Sequence, residues 1–291
     1  MSFIQEELTD QPNCWLHVAD LATAADTLPA PGEEVAVVGC GTSWFMAQSY
    51  AALRESGGHG RTDAFAASQF PAGRSYDRVI ALTRSGTTTE VLELLRRLRG
   101  RTVTTAITAD DTTPAVRAAD HTLALPFADE RSVVQTRFAT TALALLRAHL
   151  GEDLTWVVED ARTALAAPLD PTVVAAEQFT FLGSGWTCGI AEEAALKMRE
   201  ATGSWTESYP AMEYRHGPIS IAAPGRVVWV FGPVPDGLAE DIRRTGAGLV
   251  HSGLDPLADL VRVQRLAVEI AAVRGLDPDR PRNLTRSVVL A

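Results

Sequence analysis

The sequence predicts an α/β protein of two tandem units, each a parallel sheet flanked by helices in a three-layer, flavodoxin-like α/β/α sandwich. Three observations predict it. Short apolar runs such as Glu34–Val38 and Arg78–Leu82 alternate with helical patterns, as strands covered on both faces do. A strand ending in Gly-x-Gly and feeding a helix occurs twice, as Val37-Val-Gly39-Cys-Gly41-Thr-Ser and as Phe181-Leu-Gly183-Ser-Gly185-Trp-Thr. The 291 residues, 46% of them apolar, suffice for one large core or two of ordinary domain size.

Each element follows from local pattern. Trp15 to Leu28 is apolar-periodic and runs into Pro29-Ala-Pro31-Gly32, which predicts a lead-in helix and a breaker. Strand Glu34–Val38, helix Trp44–Glu55, strands Asp63–Ala66 and Arg78–Leu82, helix Thr88–Leu98 and strand Val103–Thr108 come next. A strand at Thr122–Leu125 and a long helix Val133–Leu150 close the first half, and helical residues around 152–176 join the halves. The second half reads as the strand into Gly183, helix Ile190–Glu200, strands Arg226–Phe231 and Gly248–Val250, and helix Leu257–Arg274. The expected domains are a lead-in segment at 1–33, a phosphate-binding unit at 34–151, and a unit at 152–291 that carries the catalytic groups and the C-terminal tail. That tail, Asp279 to Ser287, is polar and turn-like, so order requires anchoring by the body.

A formal charge of −10 excludes a sequence-independent grip on nucleic acid, which needs clustered cations to displace phosphate counterions. A phosphorylated small molecule stays open, because a local nest of donors holds an anion even in an acidic protein. Cys14, Cys40 and Cys188 cannot all pair and lack metal-ligand spacing, so reduced thiols, no metal and a cytoplasmic location are expected. The first residues lack a basic and apolar leader, and no apolar run approaches the ~20 residues that span a bilayer. Gly39–Ser43 begins like a dinucleotide turn, yet Phe45 and Met46 fall where its third Gly belongs, and no acidic residue ends a second strand for a ribose. No nicotinamide, flavin or other cofactor is expected.

Ligands of open parallel sheets bind beyond the carboxyl ends of the strands, where helix N-termini present free N–H groups. The loop Thr83-Arg84-Ser85-Gly86-Thr87-Thr88-Thr89 sits at such an end with hydroxyls, a Gly for close approach and a cation. An N-cap cluster is the plainer explanation, but five hydroxyls in seven residues exceed what one cap uses. The corresponding loop of the second half, Phe231-Gly-Pro-Val-Pro-Asp236, has no hydroxyl and two prolines, and cannot reproduce the cradle. Thr42 and Ser43, after the neighbouring strand, are placed to meet a sugar hydroxyl or phosphate.

Of 26 basic residues 25 are Arg, and the one Lys, Lys197, lies between Glu193 and Glu200 at i, i+4 and i+7 on one helical face. A solvated Glu–Lys–Glu ladder is the plain reading. The apolar residues between them, and the absence of any other Lys to build ladders, favour a site. His216, in Glu213-Tyr-Arg-His216-Gly-Pro218, is either a satisfied turn residue or a group that moves protons near neutral pH.

Five motifs in order, Gly39–Ser43, Thr83–Thr88, Glu193–Glu200, Glu213–Pro218 and Arg280–Ser287, resemble the sugar isomerase (SIS) domain family over roughly residues 34 to 290. The likeness is to the isomerase half of glucosamine-6-phosphate synthase and to free-standing amino-sugar-phosphate isomerases, deaminases and fructosamine-phosphate deglycases. It implies a sugar-phosphate ligand and a homodimer with shared active sites, in which the His loop is donated across the subunit interface. It assigns phosphate binding to Thr83, Ser85 and Thr88 with Thr42 and Ser43 nearby, the C1–C2 proton shuttle to Glu200, and ring opening to His216. Lys197 and Glu193 match the same active-site helix, and Gln135 falls where the synthase has a Ser lining the sugar. Three departures stand out. No Cys follows Met1 and no room remains for a glutamine-hydrolysing domain, so glutamine-dependent synthesis is not expected. Arg286 replaces a tail Lys, and an Arg braces an enediolate oxygen but forms no Schiff base. Thr87 replaces a Glu, and Arg84 stands where a neutral residue is common.

The expected activity is aldose–ketose isomerisation or deaminating isomerisation of a hexose or amino-sugar 6-phosphate through an enediol or enolamine. A carboxylate serves this near neutral pH when burial raises its pKa toward the working pH. Fructosamine-phosphate deglycation uses the same base, and a non-catalytic sugar-phosphate sensor is the alternative of a different class.

Overall fold

A computed structural model describes residues 2–22 and 27–290 of the chain. Helices α1 (Phe3–Thr9) and α2 (Gln11–Ala22) precede β1 (Val35–Gly39), α3 (Thr42–Ser56), β2 (Thr62–Ala66), β3 (Arg78–Thr83), α4 (Thr89–Leu98), β4 (Val103–Thr108), α5 (Pro114–Ala118) and β5 (His121–Ala124). Then come α6 (Arg137–His149), α7 (Thr155–Ala166), α8 (Pro171–Val174), β6 (Gln178–Gly183), α9 (Thr187–Thr202), β7 (Trp205–Pro210), β8 (Arg226–Val230), α10 (Leu238–Thr245), β9 (Gly248–His251) and α11 (Pro256–Val273). The expected lead-in helix therefore begins earlier, at Gln11, and part of its expected end, residues 23–26, lies outside the described residues.

The chain divides into two compact units. One comprises Asn13–Arg131, Gln135–Leu154 and Thr285–Ala291, and the other Met1–Pro12, Ser132–Val134 and Thr155–Leu284. The first holds a five-stranded parallel sheet in the order β2-β1-β3-β4-β5. Strands β1 and β3 pair from Val35↔Arg78 to Val38↔Ala81, so the chain reverses its direction of winding between them. That reversal opens a crevice at the carboxyl ends of β1 and β3. Val35, Ala36, Val37 and Val38 are all fully buried, as a central strand covered on both faces requires. On one face Val79 and Ala81 pack with Val91, Leu94 and Leu95 of α4, while Arg96 and Arg97 complete its last turn.

The second unit holds a four-stranded parallel sheet, β7-β6-β8-β9, wound in the same sense without a fifth strand. Leu182, Val228 and Val230 pack with Leu238 and Ile242 of α10 and with Tyr214. Neither β7 nor α10 is expected from the sequence. Trp-Thr-Glu-Ser-Tyr-Pro is polar and ends in Pro because β7 is an edge strand with one neighbour, and α10 has only eight residues.

Helix α6 starts at Arg137, so Val133–Thr136 of the expected helix lie outside it. The buried Glu130 carboxylate accepts the N–H groups of Thr136 and Arg137, both at 2.6 Å, and fixes the start there. The tail is anchored as its polarity requires: Asp279 accepts the N–H groups of Phe3 and Ile4, each at 2.8 Å, within the second unit.

The two Gly-x-Gly turns do the same physical work. A Cβ on Gly39 would lie 2.6 Å from the Ser43 carbonyl carbon, and one on Gly183 would lie 2.2 Å from the Thr187 oxygen. In both units the helix backbone sits against the strand end where only Gly fits. Gly183→Ala is therefore expected to lower stability by about 1–3 kcal/mol, because backbone and not a side chain must yield. An unchanged urea midpoint would contradict this.

Candidate active site

The crevice between β1 and β3 brings together the two loops that the sequence singles out in the first unit. Gly41, at φ +54°, turns the chain so that Thr42 and Ser43, each 5% exposed, open α3, and Arg84–Thr88 lead into α4. Gly86, at φ +59°, has no room for a side chain, since its Cβ would lie 1.9 Å from the Thr113 hydroxyl. Capping does not account for the hydroxyls. Thr88 occupies the N-cap position of α4 without its side chain capping the helix. The Thr83 hydroxyl is buried without a hydrogen-bond partner. Ser85 Oγ accepts from Thr87 N–H at 3.3 Å and from the Thr87 hydroxyl at 3.1 Å.

Arg84 is 3% exposed and pairs at 3.5 Å with Glu130, which is 1% exposed. It also donates to the Arg286 carbonyl at 3.0 Å. Its guanidinium thus braces the loop from beneath. Arg286 donates to the Asp129 carboxylate and the Glu130 carbonyl, which fastens the tail. The tail then continues along the loop: the Thr87 and Ser287 hydroxyls meet at 2.9 Å and Thr89 N–H donates to the Val288 carbonyl at 3.1 Å. Gln135, just before α6, keeps its side-chain oxygen buried with no partner. Sequence reasoning passes over Asp129 and Glu130, because Glu130 serves N–H groups six and seven residues onward, outside capping-box spacing.

In the second unit α9 carries Glu193, Lys197 and Glu200 on one face. Lys197 and Glu193 are each 1% exposed and lie 3.5 Å apart, and Lys197 Nζ also donates to the Glu200 carboxylate. This is no solvated ladder. The ammonium is enclosed and holds the partly exposed Glu200 carboxylate in place. His216 lies on an exposed short 3-10 turn, Glu213–His216, after β7. The turn is fixed by the buried Tyr214 and by Arg215, which pairs with Asp241 at 2.8 Å.

These groups occupy opposite ends of the strands of one sheet. Helix α9 begins just past the carboxyl end of β6 and runs back to the start of β7, so the thirteen residue-to-residue rises from Thr187 to Glu200 carry the carboxylate about 20 Å away. His216 follows the carboxyl end of β7. A single copy therefore separates Glu200 from His216.

The Cys40 and Cys188 thiols are held protonated. Burial, then the Glu90 charge, pushes Cys40 up to about 11, and burial followed by Glu192 raises Cys188. Among the described residues no group of three His, Cys, Asp or Glu side chains is arranged to hold a metal ion. No helix among them is long and apolar enough to cross a membrane.

Residues 31–150 match the model of the SIS domain. Over its length the chain is similar to glutamine–fructose-6-phosphate aminotransferase (isomerizing) of Methanothermobacter thermautotrophicus, 30% identical with 99% of this chain and 57% of that protein covered. The same enzyme of a Nostoc species is 29% identical over 89% of this chain and 52% of its own length. The chain thus spans a little over half the length of these curated relatives. Among solved structures, glucosamine-6-phosphate deaminase of Thermotoga maritima superposes with a TM-score of 0.86 at 24% identity, covering 99% of this chain and 100% of that one. Tagatose-6-phosphate ketose/aldose isomerase of Escherichia coli gives 0.81 at 19% identity, covering 98% and 97%. At these identities the likeness establishes the shared fold.

Proposed function

We propose, on the premise that this chain is a member of the SIS domain family, that it is a sugar-phosphate isomerase or deaminating isomerase acting on a hexose or amino-sugar 6-phosphate. The observation that carries the reading is the pair of hydroxyls at the β1/β3 crevice that the protein leaves unused, Thr83 buried without a partner and Thr88 at an N-cap without capping. With Ser85 and the N-terminus of α4 they offer a phosphate charge-assisted hydrogen bonds and the positive end of a helix. Thr42, Ser43 and Gln135 supply further polar contacts to the sugar.

Glu200 takes the proton from the carbon next to the carbonyl or imine and returns it to the neighbouring carbon, passing through an enediol or enolamine. With an amino sugar the resulting imine adds water and releases ammonia, which leaves the ketose phosphate. Lys197 orients the carboxylate and balances its charge. Ring opening falls to His216. Because one copy sets His216 and Glu200 at opposite strand ends, the reading requires a homodimer in which a second copy supplies the His.

The loop is testable by itself. Ser85→Ala combined with Thr88→Val should raise the Kd for fructose 6-phosphate about 10²- to 10⁴-fold, since hydrogen bonds to a charged group contribute about 1.5–3 kcal/mol each. Wild-type protein should gain thermal stability with fructose 6-phosphate and not with fructose, as binding to the native state demands. Equal shifts with both sugars would contradict the assignment.

A further inference from the structure

The second unit carries a carboxylate that the proposed function does not use. Glu207 lies on edge strand β7, where it pairs with Thr180 of β6, and Tyr209, two residues on, pairs with Leu182. This register, with the two-residue alternation of strands, sets the four side chains on one face, the face on which Leu182, Val228 and Val230 pack with Tyr214. Glu207 forms no ion pair among the described residues, and its Oε2 is buried without a hydrogen-bond partner. A carboxylate drawn from water with no cation beside it weakens the fold. Packing therefore does not explain it.

The Tyr214 hydroxyl is the complementary orphan. It too is buried without a partner, and Tyr214 is the one buried member of the turn Glu213–His216. Burial, with the Glu207 charge adding to it, pushes that hydroxyl up to about 12, so it stays a proton donor. After burial, the same charge raises Tyr209, whose ring centre lies 6.4 Å from that of Tyr214. Glu207 thus sits close to both phenols, and the other hydroxyl at hand, that of Thr180, already accepts from the Gln178 amide at 2.9 Å. One buried donor and one buried acceptor are left for each other.

Ala211 N–H donates to the Gly183 carbonyl at 2.7 Å and Arg215 pairs with Asp241, so the chain on either side of Tyr214 is tied to the sheet and to α10. Successive side chains of a 3-10 turn are rotated by about 120°, so a shift of Tyr214 swings His216, two positions on, with it. We propose that Glu207 is a positioning residue for ring opening: the Tyr214 hydroxyl closes onto its free oxygen as the turn meets the sugar, and that bond sets the approach of His216. Opening the ring puts one proton on the ring oxygen and takes one from the anomeric hydroxyl, and a displaced imidazole slows it. The later proton transfer at carbon belongs to Glu200. The inference rests on the reading of His216 as the ring-opening group.

The test uses two substrates that differ in whether a ring must open. Fructose 6-phosphate closes through its C5 hydroxyl, whereas 5-deoxyfructose 6-phosphate has no free hydroxyl placed to close a ring and is always open. Entry of solvent deuterium at C1 is followed by proton NMR on the full chain. Glu207→Met and Tyr214→Phe should each slow exchange into fructose 6-phosphate about 10- to 100-fold, the scale of a catalytic group displaced by up to an ångström, and leave exchange into the open analogue as in wild type. Glu207→Gln, which keeps an accepting oxygen, should retain most of the rate, and joining Glu207→Met to Tyr214→Phe should add little to either loss. Equal slowing on both substrates would assign the pair to the fold alone, and a loss with Tyr214→Phe but none with Glu207→Met would pass the anchor to Thr180. Either result overturns the inference and leaves the proposed function standing. Absence of exchange into both sugars by wild-type chain overturns the two together.

Discussion

Glu200→Gln should cut turnover of a sugar phosphate about 10²- to 10⁴-fold, the usual contribution of a positioned general base. The amide is close in shape to the carboxylate but accepts no proton at the working pH. Its oxygen still meets Lys197 Nζ, so folding and sugar-phosphate affinity should change little. The readout is incorporation of solvent deuterium at the carbon that exchanges its proton, followed by proton NMR. Undiminished exchange in the variant would remove Glu200 from the mechanism.

Lys197→Met should be the most destabilising of the substitutions considered, by about 3–5 kcal/mol, because it leaves a buried carboxylate without its ammonium. The pair is nearly inaccessible to water, with both side chains 1% exposed. The Glu193→Met substitution added to Lys197→Met should restore most of that stability, since replacing both members of a buried pair by apolar groups of similar volume is often neutral. Activity should not return, because Glu200 has lost the Nζ that fixes it. Recovery of stability together with activity would show that Lys197 supports only the fold. The same enclosure explains why a chain that uses Arg 25 times keeps one Lys: the slot holds a compact ammonium between two carboxylates, each about one turn away on α9.

Most of this arrangement is legible in the sequence where apolar periodicity is strong. Strands β1, β3, β4 and β6 and helices α4, α9 and α11 stand within a few residues of their expected ranges because their burial is nearly continuous or one-sided. What escapes is whatever long-range contacts decide. Edge strand β7 has no apolar run because only β6 pairs with it. The start of α6 is set by Glu130 from six residues upstream, so helical periodicity beginning at Val133 misplaces it.

The candidate site shows the same division. Residue types announce the hydroxyl loop and the Glu–Lys–Glu face, but neither states where the cations point. Arg84 has the sequence of a phosphate ligand, and its place beneath the loop follows from Glu130, 46 positions on, and from the Arg286 carbonyl. Arg286 in turn is held by Asp129 and the Glu130 carbonyl. The separation of Glu200 from His216 follows from the length of α9 and the position of β7, and β7 is the strand the sequence conceals.

The account's central claim is that a phosphorylated sugar, held through its phosphate, undergoes proton transfer on its carbon skeleton. The most direct measurement is proton NMR of wild-type chain incubated in deuterium oxide with fructose 6-phosphate and, in parallel, with fructose. Deuterium should enter the phosphorylated sugar and not the free one. Tight binding of fructose 6-phosphate with no carbon-bound deuterium after prolonged incubation would contradict the claim and mark the chain as a sensor of sugar phosphates.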